Sequence, residues 1–346
     1  MPGTKTSTGS LLRRGFGRWE ARDIAPLVSL AVLVIFFTFA APSFLKLGSL
    51  MLILERGSVL AIVSVGLTYV LLCGEIDLAV GNMAVWSACF CGWLFVWMGE
   101  PGGHGAASAW MVSLVILLPL ASCALLGFLS GMLTVTSRLP SFIISLAMMF
   151  IAKGLAQILT RGEPHVVPGL LRSIGNDDIG GTSLPRSMIL AVVVLLLSHF
   201  VLRYTRFGRY IYATGGNREA ARLAGIRTGW VVIACMAICA VTAGISGLVK
   251  AGQMNKATLD QNQEMLLSAV ACVVLGGTSL FGGEGSIGKT VIGVATFAVL
   301  QVGLLQLNTI SLGFIAIPVD DFARSLLTGI VLMVALVING LLARGK

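Results

Sequence analysis

The chain has 346 residues, of which 56% are hydrophobic and only 11% are charged, whereas an average soluble domain carries about 25% charged residues. With a mean hydropathy of +0.94, this composition excludes an ordinary soluble protein and places the chain in a lipid bilayer. The net charge of +9 does not indicate nucleic-acid binding, because the lysines and arginines lie in the gaps between apolar runs. We therefore expect no nucleic-acid partner.

The seven cysteines lie inside apolar runs, and no two of them are spaced as a Cys-x-x-Cys pair. The three histidines are scattered along the chain. This pattern is typical of small buried residues and does not indicate zinc or disulfide chemistry. We expect no metal site, and the sequence offers no candidate catalytic residue.

Residues 1–23 are polar and basic and are predicted to form a cytoplasmic N-terminal segment. The apolar run that follows is long for a signal peptide, so we interpret it as an uncleaved first span. Because a helix needs about 20 residues to cross the hydrocarbon core, apolar runs count as crossings. The count predicts an all-α polytopic membrane protein, with residues 24–346 as a single transmembrane domain of about ten helices. The predicted spans are 24–42, 57–74, 79–98, 109–133, 141–160, 186–202, 230–251, 265–281, 287–308 and 323–342.

An even number of spans, such as ten, places both termini on the same side of the membrane. The distribution of basic residues among the loops predicts whether that side is the cytoplasm. Loops and the adjoining span ends on the side of the N-terminus carry 15 lysines and arginines, and those on the other side carry 8. Since cytoplasmic loops are richer in basic residues, both termini and the loop 203–229 are predicted to be cytoplasmic. The loop 161–185 is then extracytoplasmic and could hold a short interfacial helix.

The loop 203–229 contains a short predicted helix between Asn217 and Gly225. Asn217 is suited to cap a helix start and Gly225 to end one in the left-handed conformation, while Gly215 and Gly216 allow a sharp turn before it. About two turns of isolated helix are marginal in water, so this helix needs a surface to lie on. Taken alone, the segment also fits an ordinary connecting loop.

Two carboxylates, Glu75 and Asp77, interrupt the apolar sequence between the second and third spans, within residues 74–82. A carboxylate at the centre of a spanning helix costs about 2.5–3.5 kcal/mol, so both are expected at a membrane edge or in a polar space inside the bundle. Asp77 is placed to cap the third span. No nucleophile, histidine or metal cluster accompanies the pair, so catalysis is not indicated. A proton relay is the alternative.

A second break, at residues 275–290, is rich in glycine and ends in Gly288-Lys289-Thr290. Together with Gly283 these residues match the phosphate-binding pattern G-x-x-x-x-G-K-[ST] literally. That loop should follow a buried strand in an α/β domain, whereas this one joins two membrane helices. We therefore reject nucleotide binding and expect the glycines to turn the chain tightly between two spans.

Three segments, in this order on a ten-span frame, resemble the permease subunits of bacterial ABC sugar importers of the ribose/xylose type. They are the acidic break at 74–82, the run Gly215-Gly216-Asn217 followed by Glu219-Ala220-Ala221-Arg222-Leu223-Ala224-Gly225-Ile226, and the run Val274-Leu275-Gly276-Gly277-Thr278-Ser279-Leu280 with the glycines after it. The resemblance covers almost the whole chain.

The resemblance implies a multi-pass permease of the bacterial inner membrane that translocates a monosaccharide delivered by a periplasmic sugar-binding protein. It further implies two paired permease copies in the bilayer and a separate ABC ATPase subunit with tandem nucleotide-binding domains. ATP would then be bound by that partner, and this chain would hold no cofactor.

The resemblance also assigns residues to sites. The ATPase would contact a coupling helix made here by Gly216, Asn217, Glu219, Ala220, Ala221, Arg222 and Gly225. The translocation pathway or helix break would involve Glu75, Asp77, Asn82, Gly276, Gly277 and Thr278. At the acidic break the family pattern reads Gly-Gly-Ile-Asp-Leu-Ser-Val-Gly, and this chain departs from it at Glu75 and Ala79.

Three other functions remain open from the residues. A secondary transporter could use Glu75, Asp77 or Glu264 for proton coupling. An amino-acid permease of the same superfamily would share the same frame. A membrane enzyme would need convergent polar residues in one pocket.

Overall fold

The computed structural model describes residues 21–99, 109–261, 264–307, 309–312, 315–318 and 321–344, and this part of the chain is mostly helical. Four very short strands form two antiparallel pairs, β1 with β2 and β3 with β4. The elements are α1 Ala21–Ala40, α2 Leu47–Leu72, α3 Val80–Trp97, α4 Ala109–Ser137, α5 Ser141–Thr160, β1 His165–Val166, α6 Gly169–Asn176, α7 Arg186–Tyr204, α8 Arg206–Gly216, α9 Arg218–Leu223, α10 Thr228–Gln253, β2 Lys256–Ala257, α11 Met265–Leu275, α12 Ile287–Gln306, β3 Thr309–Leu312, β4 Ile315–Pro318 and α13 Asp321–Arg344.

Each of the ten predicted spans coincides with a helix, and seven of these helices are long and apolar enough to cross a membrane. The seven are α2, α3, α4, α5, α7, α10 and α12. The apolar parts of α1 and α13 are shorter, at Ile24–Ala40 and Ala323–Val334. The helical, multi-pass membrane fold is therefore confirmed, while the number of ten crossings stays a prediction.

The boundaries of two predicted spans are wrong. The span predicted at 265–281 is the helix α11 of 11 residues, which ends at Leu275 because Gly276 and Gly277 turn the chain away. At 1.5 Å per residue this helix is about 16 Å long, too short to cross a bilayer alone. The second span was predicted from residue 57, whereas α2 begins at Leu47 and contains the polar pair Glu55 and Arg56.

Helix α10 lies at the centre of the bundle and packs against α2, α3 and α4. Small residues bring these backbones close together, since a Cβ built on Gly127 of α4 would lie 2.6 Å from the Ala240 Cβ of α10. Likewise, a Cβ on Gly247 of α10 would collide with the backbone of Ala84 on α3. Gly127 with Gly131 on α4, and Ala243 with Gly247 on α10, are pairs of small residues spaced four apart, and these pairs therefore serve packing within this bundle.

The loops collect at two ends of the bundle because successive long helices run in opposite directions. At one end, which we call the α9 end, the Tyr212 hydroxyl donates to the Gly285 carbonyl oxygen at 2.9 Å. At the opposite end β1 pairs with β2, and the Asn176 amide donates to the Gly252 carbonyl oxygen at 2.7 Å. These two groups of loops are the ones that the predicted topology places on opposite sides of the membrane.

Candidate coupling surface

The chain enters the coupling segment through α8, a helix that the sequence analysis did not predict. Thr205 caps its start by accepting a hydrogen bond from the Gly208 N–H at 3.2 Å. Gly215 and Gly216, expected to form a turn, are instead the last two residues of this helix. The change of direction falls on Asn217, whose backbone is extended.

Helix α9 has the ends that were predicted for it but is shorter than two turns. The Asn217 side chain accepts a hydrogen bond from the Ala220 N–H at 2.9 Å and so caps the helix start. Gly225 has a φ of +81° and ends the helix, and the Ile226 N–H closes the turn onto the Ala221 carbonyl oxygen at 3.0 Å. The helix itself has six residues, Arg218–Leu223.

Most of α9 is exposed. Ala221 is its buried residue, at 4% exposure, and it fixes the helix to the bundle. Glu219 and Arg222 form an exposed ion pair at 3.8 Å. Leu223 is 84% exposed, which is unusual for a leucine outside the lipid-facing helices. The helix therefore presents charged and apolar groups outward at the α9 end of the bundle.

Two cavities flank this helix. An apolar groove of about 500 Å³ lies against its C-terminal end and is lined by Phe207, Tyr210, Gly225, Ile226 and Trp230, among others. A second, polar cavity of about 320 Å³ lies on the other side and includes Glu75, Arg138, Arg218, Arg222 and Thr228. Arg138, in the turn between α4 and α5, was not predicted as a site residue, and its only sequence signal was its basic charge.

Three glycine-containing segments meet beside α9, and we call this contact the glycine junction: Gly74, Gly215, Gly282 and Gly283. The Gly283 N–H donates to the Leu72 carbonyl oxygen at 2.9 Å. A Cβ built on Gly215 would collide with the same oxygen. Because glycines have no side chains to separate the backbones, the break after α2, the end of α8 and the loop after α11 lie in direct contact.

The acidic break reaches α9 through Glu75. This carboxylate is buried, with 9% of its side chain exposed, and it forms an ion pair with Arg218, whose side chain is 41% exposed. Arg218 is the first residue of α9. The residue that departs from the family pattern therefore holds the start of the predicted coupling helix.

Asp77 is buried in the extended chain before α3, where burial raises the pKa of its carboxyl group. Its Oδ1 accepts a hydrogen bond from the Ala79 N–H at 2.8 Å. The prediction that Asp77 caps α3 is wrong in detail, because Ala79 precedes the helix and no side chain caps the first turn. Two serines of α5 that were not predicted as site residues hold this segment: Ser141 Oγ accepts from the Ile76 N–H at 2.9 Å, and Ser145 Oγ from the Leu78 N–H at 3.0 Å.

The other predicted site residues stabilise bends and helix contacts. The Asn82 amide donates to the Met149 carbonyl oxygen at 3.1 Å and ties α3 to α5. Gly276 ends α11, Gly277 has a φ of +88°, and Thr278 is buried in the following turn. All four residues lie at or near the α9 end, but Asn82 does not touch the glycine junction.

The P-loop-like sequence does not form a phosphate site. Helix α11, and not a strand, precedes it. Ser286 caps α12 by accepting from the Lys289 N–H at 3.3 Å, and the Thr290 hydroxyl is buried 2.7 Å from the Thr68 hydroxyl. The Thr290 hydroxyl, which in a phosphate-binding loop would face the ligand, is therefore hydrogen-bonded inside the helix bundle.

Comparison with known proteins decides the family. Residues 49–336 match the family described as the permease component of the branched-chain amino acid transport system. The chain belongs to this permease family. It is 30% identical to the ribose import permease protein of Escherichia coli over 97% of this chain and 98% of that protein.

Two further relatives extend the comparison. The permease is 30% identical to the ribose import permease protein of Bacillus subtilis, with 92% of each chain covered. It is 28% identical to the autoinducer 2 import system permease protein of Photorhabdus luminescens, over 92% of this chain and 90% of that protein. The permease is thus a multi-pass inner-membrane subunit of an ABC importer and not an enzyme, and it works with a separate ATPase and a periplasmic binding protein.

Proposed function

We propose that the permease imports a monosaccharide of the ribose/xylose type, which a periplasmic sugar-binding protein delivers. The observation that carries this proposal is the similarity to ribose import permeases over nearly the full length of both chains. Such end-to-end similarity favours a sugar over the amino acids named in the family description.

The proposed assembly pairs two copies of this chain with an ATPase that carries tandem nucleotide-binding domains. Each copy has ten crossings, with residues 1–23, the loop 203–229 and the C-terminus in the cytoplasm and the loop 161–185 outside. The excess of basic residues in the first set of loops supports this orientation. ATP binds to the partner subunit, and this chain holds no cofactor of its own.

Helix α9 is the proposed coupling helix. The contact residues are Gly216, Asn217, Glu219, Ala220, Ala221, Arg222 and Gly225, of which only Ala221 is buried. The exposed Leu223 and the apolar groove beside Trp230 supply the apolar surface that a stable docking site needs. The exposed Glu219–Arg222 pair adds polar contacts at its rim.

The glycine junction is the proposed route by which movement of α9 reaches the membrane helices. Arg218 holds Glu75, and Gly215 rests against the end of α2 and the loop before α12. A displacement of α9 therefore shifts α2, α8 and α11 together, because packed elements move as units. We accordingly assign Glu75, Asp77, Gly276, Gly277 and Thr278 to the helix breaks that transmit this movement, and Asn82 to the α3–α5 contact beside them.

Reconstitution tests the proposed transport. Proteoliposomes that contain the permease, its ATPase and its binding protein are expected to accumulate labelled D-ribose or D-xylose when ATP is present. Uptake driven by a proton gradient without the ATPase would overturn the proposal in favour of a secondary transporter.

Substitutions in α9 test the coupling. Leu223→Asp removes an exposed apolar contact at little cost to folding, so we expect copurification with the ATPase to fall about tenfold. Glu219→Ala and Gly225→Ala should weaken ATP-driven uptake while the permease still inserts. Leu170→Asp, on the exposed face of α6 at the opposite end, is the matched control and should copurify normally. Full copurification of Leu223→Asp would place the ATPase elsewhere.

A further inference from the structure

A polar cavity opens at the end of the bundle opposite α9, between α2, α11, α12 and α13, and we call it the outer pocket. Its volume is about 460 Å³, within the range of pockets that bind small molecules. Arg56 lies 16 residues before Leu72 on α2, so the pocket and the glycine junction are about 24 Å apart along the helix axis.

Several of the residues that line the outer pocket are polar, and they come from four helices or their ends. They include Arg56, Glu264, Ser268, Gln301, Arg324 and Thr328. Within the described part of the chain, no hydrogen bond or ion pair engages the side chains of Arg56, Glu264 or Gln301. Three polar side chains, from α2, the start of α11 and α12, thus line one cavity, and no described residue uses their hydrogen-bonding groups.

The lining also includes apolar side chains, among them Leu267, Phe297, Leu304 and Leu332. A sugar ring can use both kinds of lining, since it carries hydroxyl groups at its edge and C–H groups on its faces. The guanidinium, carboxylate and amide groups are planar and present paired donors or acceptors, which suit neighbouring hydroxyls. The pocket also holds a second guanidinium, from Arg324, so its two arginines and one carboxylate offer both donors and acceptors to sugar hydroxyls.

Helix α11 connects this pocket to the coupling end. Glu264 and Ser268 lie at its start, and Gly276 follows its last residue and leads into the loop that donates to the Leu72 carbonyl oxygen. Because α11 is only 11 residues long, it is a short rigid link between the pocket and the glycine junction. A ligand in the pocket and a movement at α9 would therefore act on the same helix.

We propose that the outer pocket is the site at which the permease receives the neutral monosaccharide from the binding protein, with Arg56, Glu264 and Gln301 binding its hydroxyls. This inference rests on the proposed sugar import and adds the residues that bind the sugar. Because Arg56 and Glu264 lie toward the outer ends of their helices, the permease can bind a polar molecule at one face without a charged site at the bilayer centre.

The test measures sugar uptake and ATP hydrolysis in the same proteoliposomes, with tritiated D-ribose and the complete complex of permease, ATPase and binding protein. Gln301→Leu and Arg56→Gln are expected to lower ribose uptake about tenfold, which corresponds to the loss of about one good hydrogen bond to a charged or polar group. In both variants, ATP hydrolysis stimulated by the binding protein should stay within about twofold of wild type. The number of sugar molecules transported per ATP hydrolysed should therefore fall.

Two further variants keep the result interpretable. Lys46→Gln removes a positive charge at the same end of α2 but outside the pocket, and it should transport normally. Glu264→Gln keeps the size of the side chain and should reduce uptake without loss of the folded complex. If the wild-type complex moves no ribose with ATP, the proposed function fails. If wild type transports while Gln301→Leu, Arg56→Gln and Glu264→Gln all match it, the outer pocket is not the receiving site.

Discussion

Glu75 and Arg218 are 143 residues apart in the sequence and form the ion pair that joins the break after α2 to α9. The glycine of the resembled family pattern at position 75 has no side chain with which to form this contact. The buried carboxylate therefore depends on Arg218 for its charge balance, because a buried charge without a partner is strongly unfavourable. The pair therefore ties the break after α2 directly to the start of α9.

Removing Arg218 should destabilise the permease more than removing Glu75. Arg218→Gln leaves Glu75 buried without its cation, and we expect it to lower the free energy of unfolding by about 1–2 kcal/mol, less than for a fully buried pair because Arg218 is partly exposed. Glu75→Gly removes the buried charge as well and should cost less. Thermal melting of the purified permease in detergent measures both.

The double variant Glu75→Gly/Arg218→Gln closes the cycle for this pair. We expect its melting temperature to match that of Glu75→Gly, because the arginine has no further role once the carboxylate is gone. Additive losses in the double variant would show that the two side chains act independently.

Asp77 gives a pH dependence with a defined sign. Burial raises the pKa of its carboxyl group in the folded protein above that in the unfolded chain. The folded state therefore binds this proton more tightly, and stability falls as pH rises between the two pKa values. Asp77→Asn keeps an oxygen that accepts from the Ala79 N–H and removes the charge.

We expect Asp77→Asn to melt at a higher temperature than wild type at pH 8, with the difference shrinking as the pH is lowered below the raised pKa. Melting curves at a series of pH values measure this. The exposed Asp178→Asn is the control and should leave the melting temperature unchanged. A difference for Asp77→Asn that grows toward acid pH would contradict the direction of the shift.

Helix α8 ends in two adjacent glycines, of which one is tightly packed and the other borders open space. A Cβ on Gly215 would collide with the Leu72 carbonyl oxygen, whereas a Cβ on Gly216 meets nothing within 4 Å. Gly215→Ala should therefore separate α8 from α2 and destabilise the permease by about 2 kcal/mol. It should also reduce ATP-driven uptake, since the junction would no longer close.

Gly216→Ala is the matched control for this change. The same methyl group is added one residue later, into open space, and we expect melting temperature and uptake close to wild type. Equal behaviour of the two variants in both assays would show that the glycine junction is not a tight contact.

The sequence predicted α5 to the residue, because its apolar run is bounded by Pro140 and by Arg161, which ends the helix with a φ of +53°. Local signals also predicted both caps of α9. Helix α8 was missed because arginines, aromatics and glycines alternate along it, and tertiary contacts such as the Tyr212–Gly285 hydrogen bond hold it. The pairing of Glu75 with Arg218 was likewise unpredictable, since a single sequence shows charges but not which distant residue each one meets.

The two ends of the whole helix bundle carry different kinds of surface. The α9 end holds the glycine junction and an exposed helix with a leucine and an ion pair on its surface. The opposite end holds the outer pocket and the loops joined by β1 and β2. The import direction that we propose requires the first end to face the cytoplasm, where the ATPase lies, and the second to face the binding protein.

Cysteine labelling tests that orientation directly. All seven native cysteines are buried, so an introduced exposed cysteine is the reactive one. Asp178 and Leu223 are exposed residues at opposite ends of the bundle. In intact spheroplasts, a membrane-impermeant maleimide should label Asp178→Cys and leave Leu223→Cys unlabelled until the membrane is permeabilised. Wild-type permease gives the background from the native thiols. In the proposed topology of ten crossings the side of one loop determines the side of every other, so labelling of Leu223→Cys in intact spheroplasts would invert the whole topology and place the ATPase at the end that carries the outer pocket.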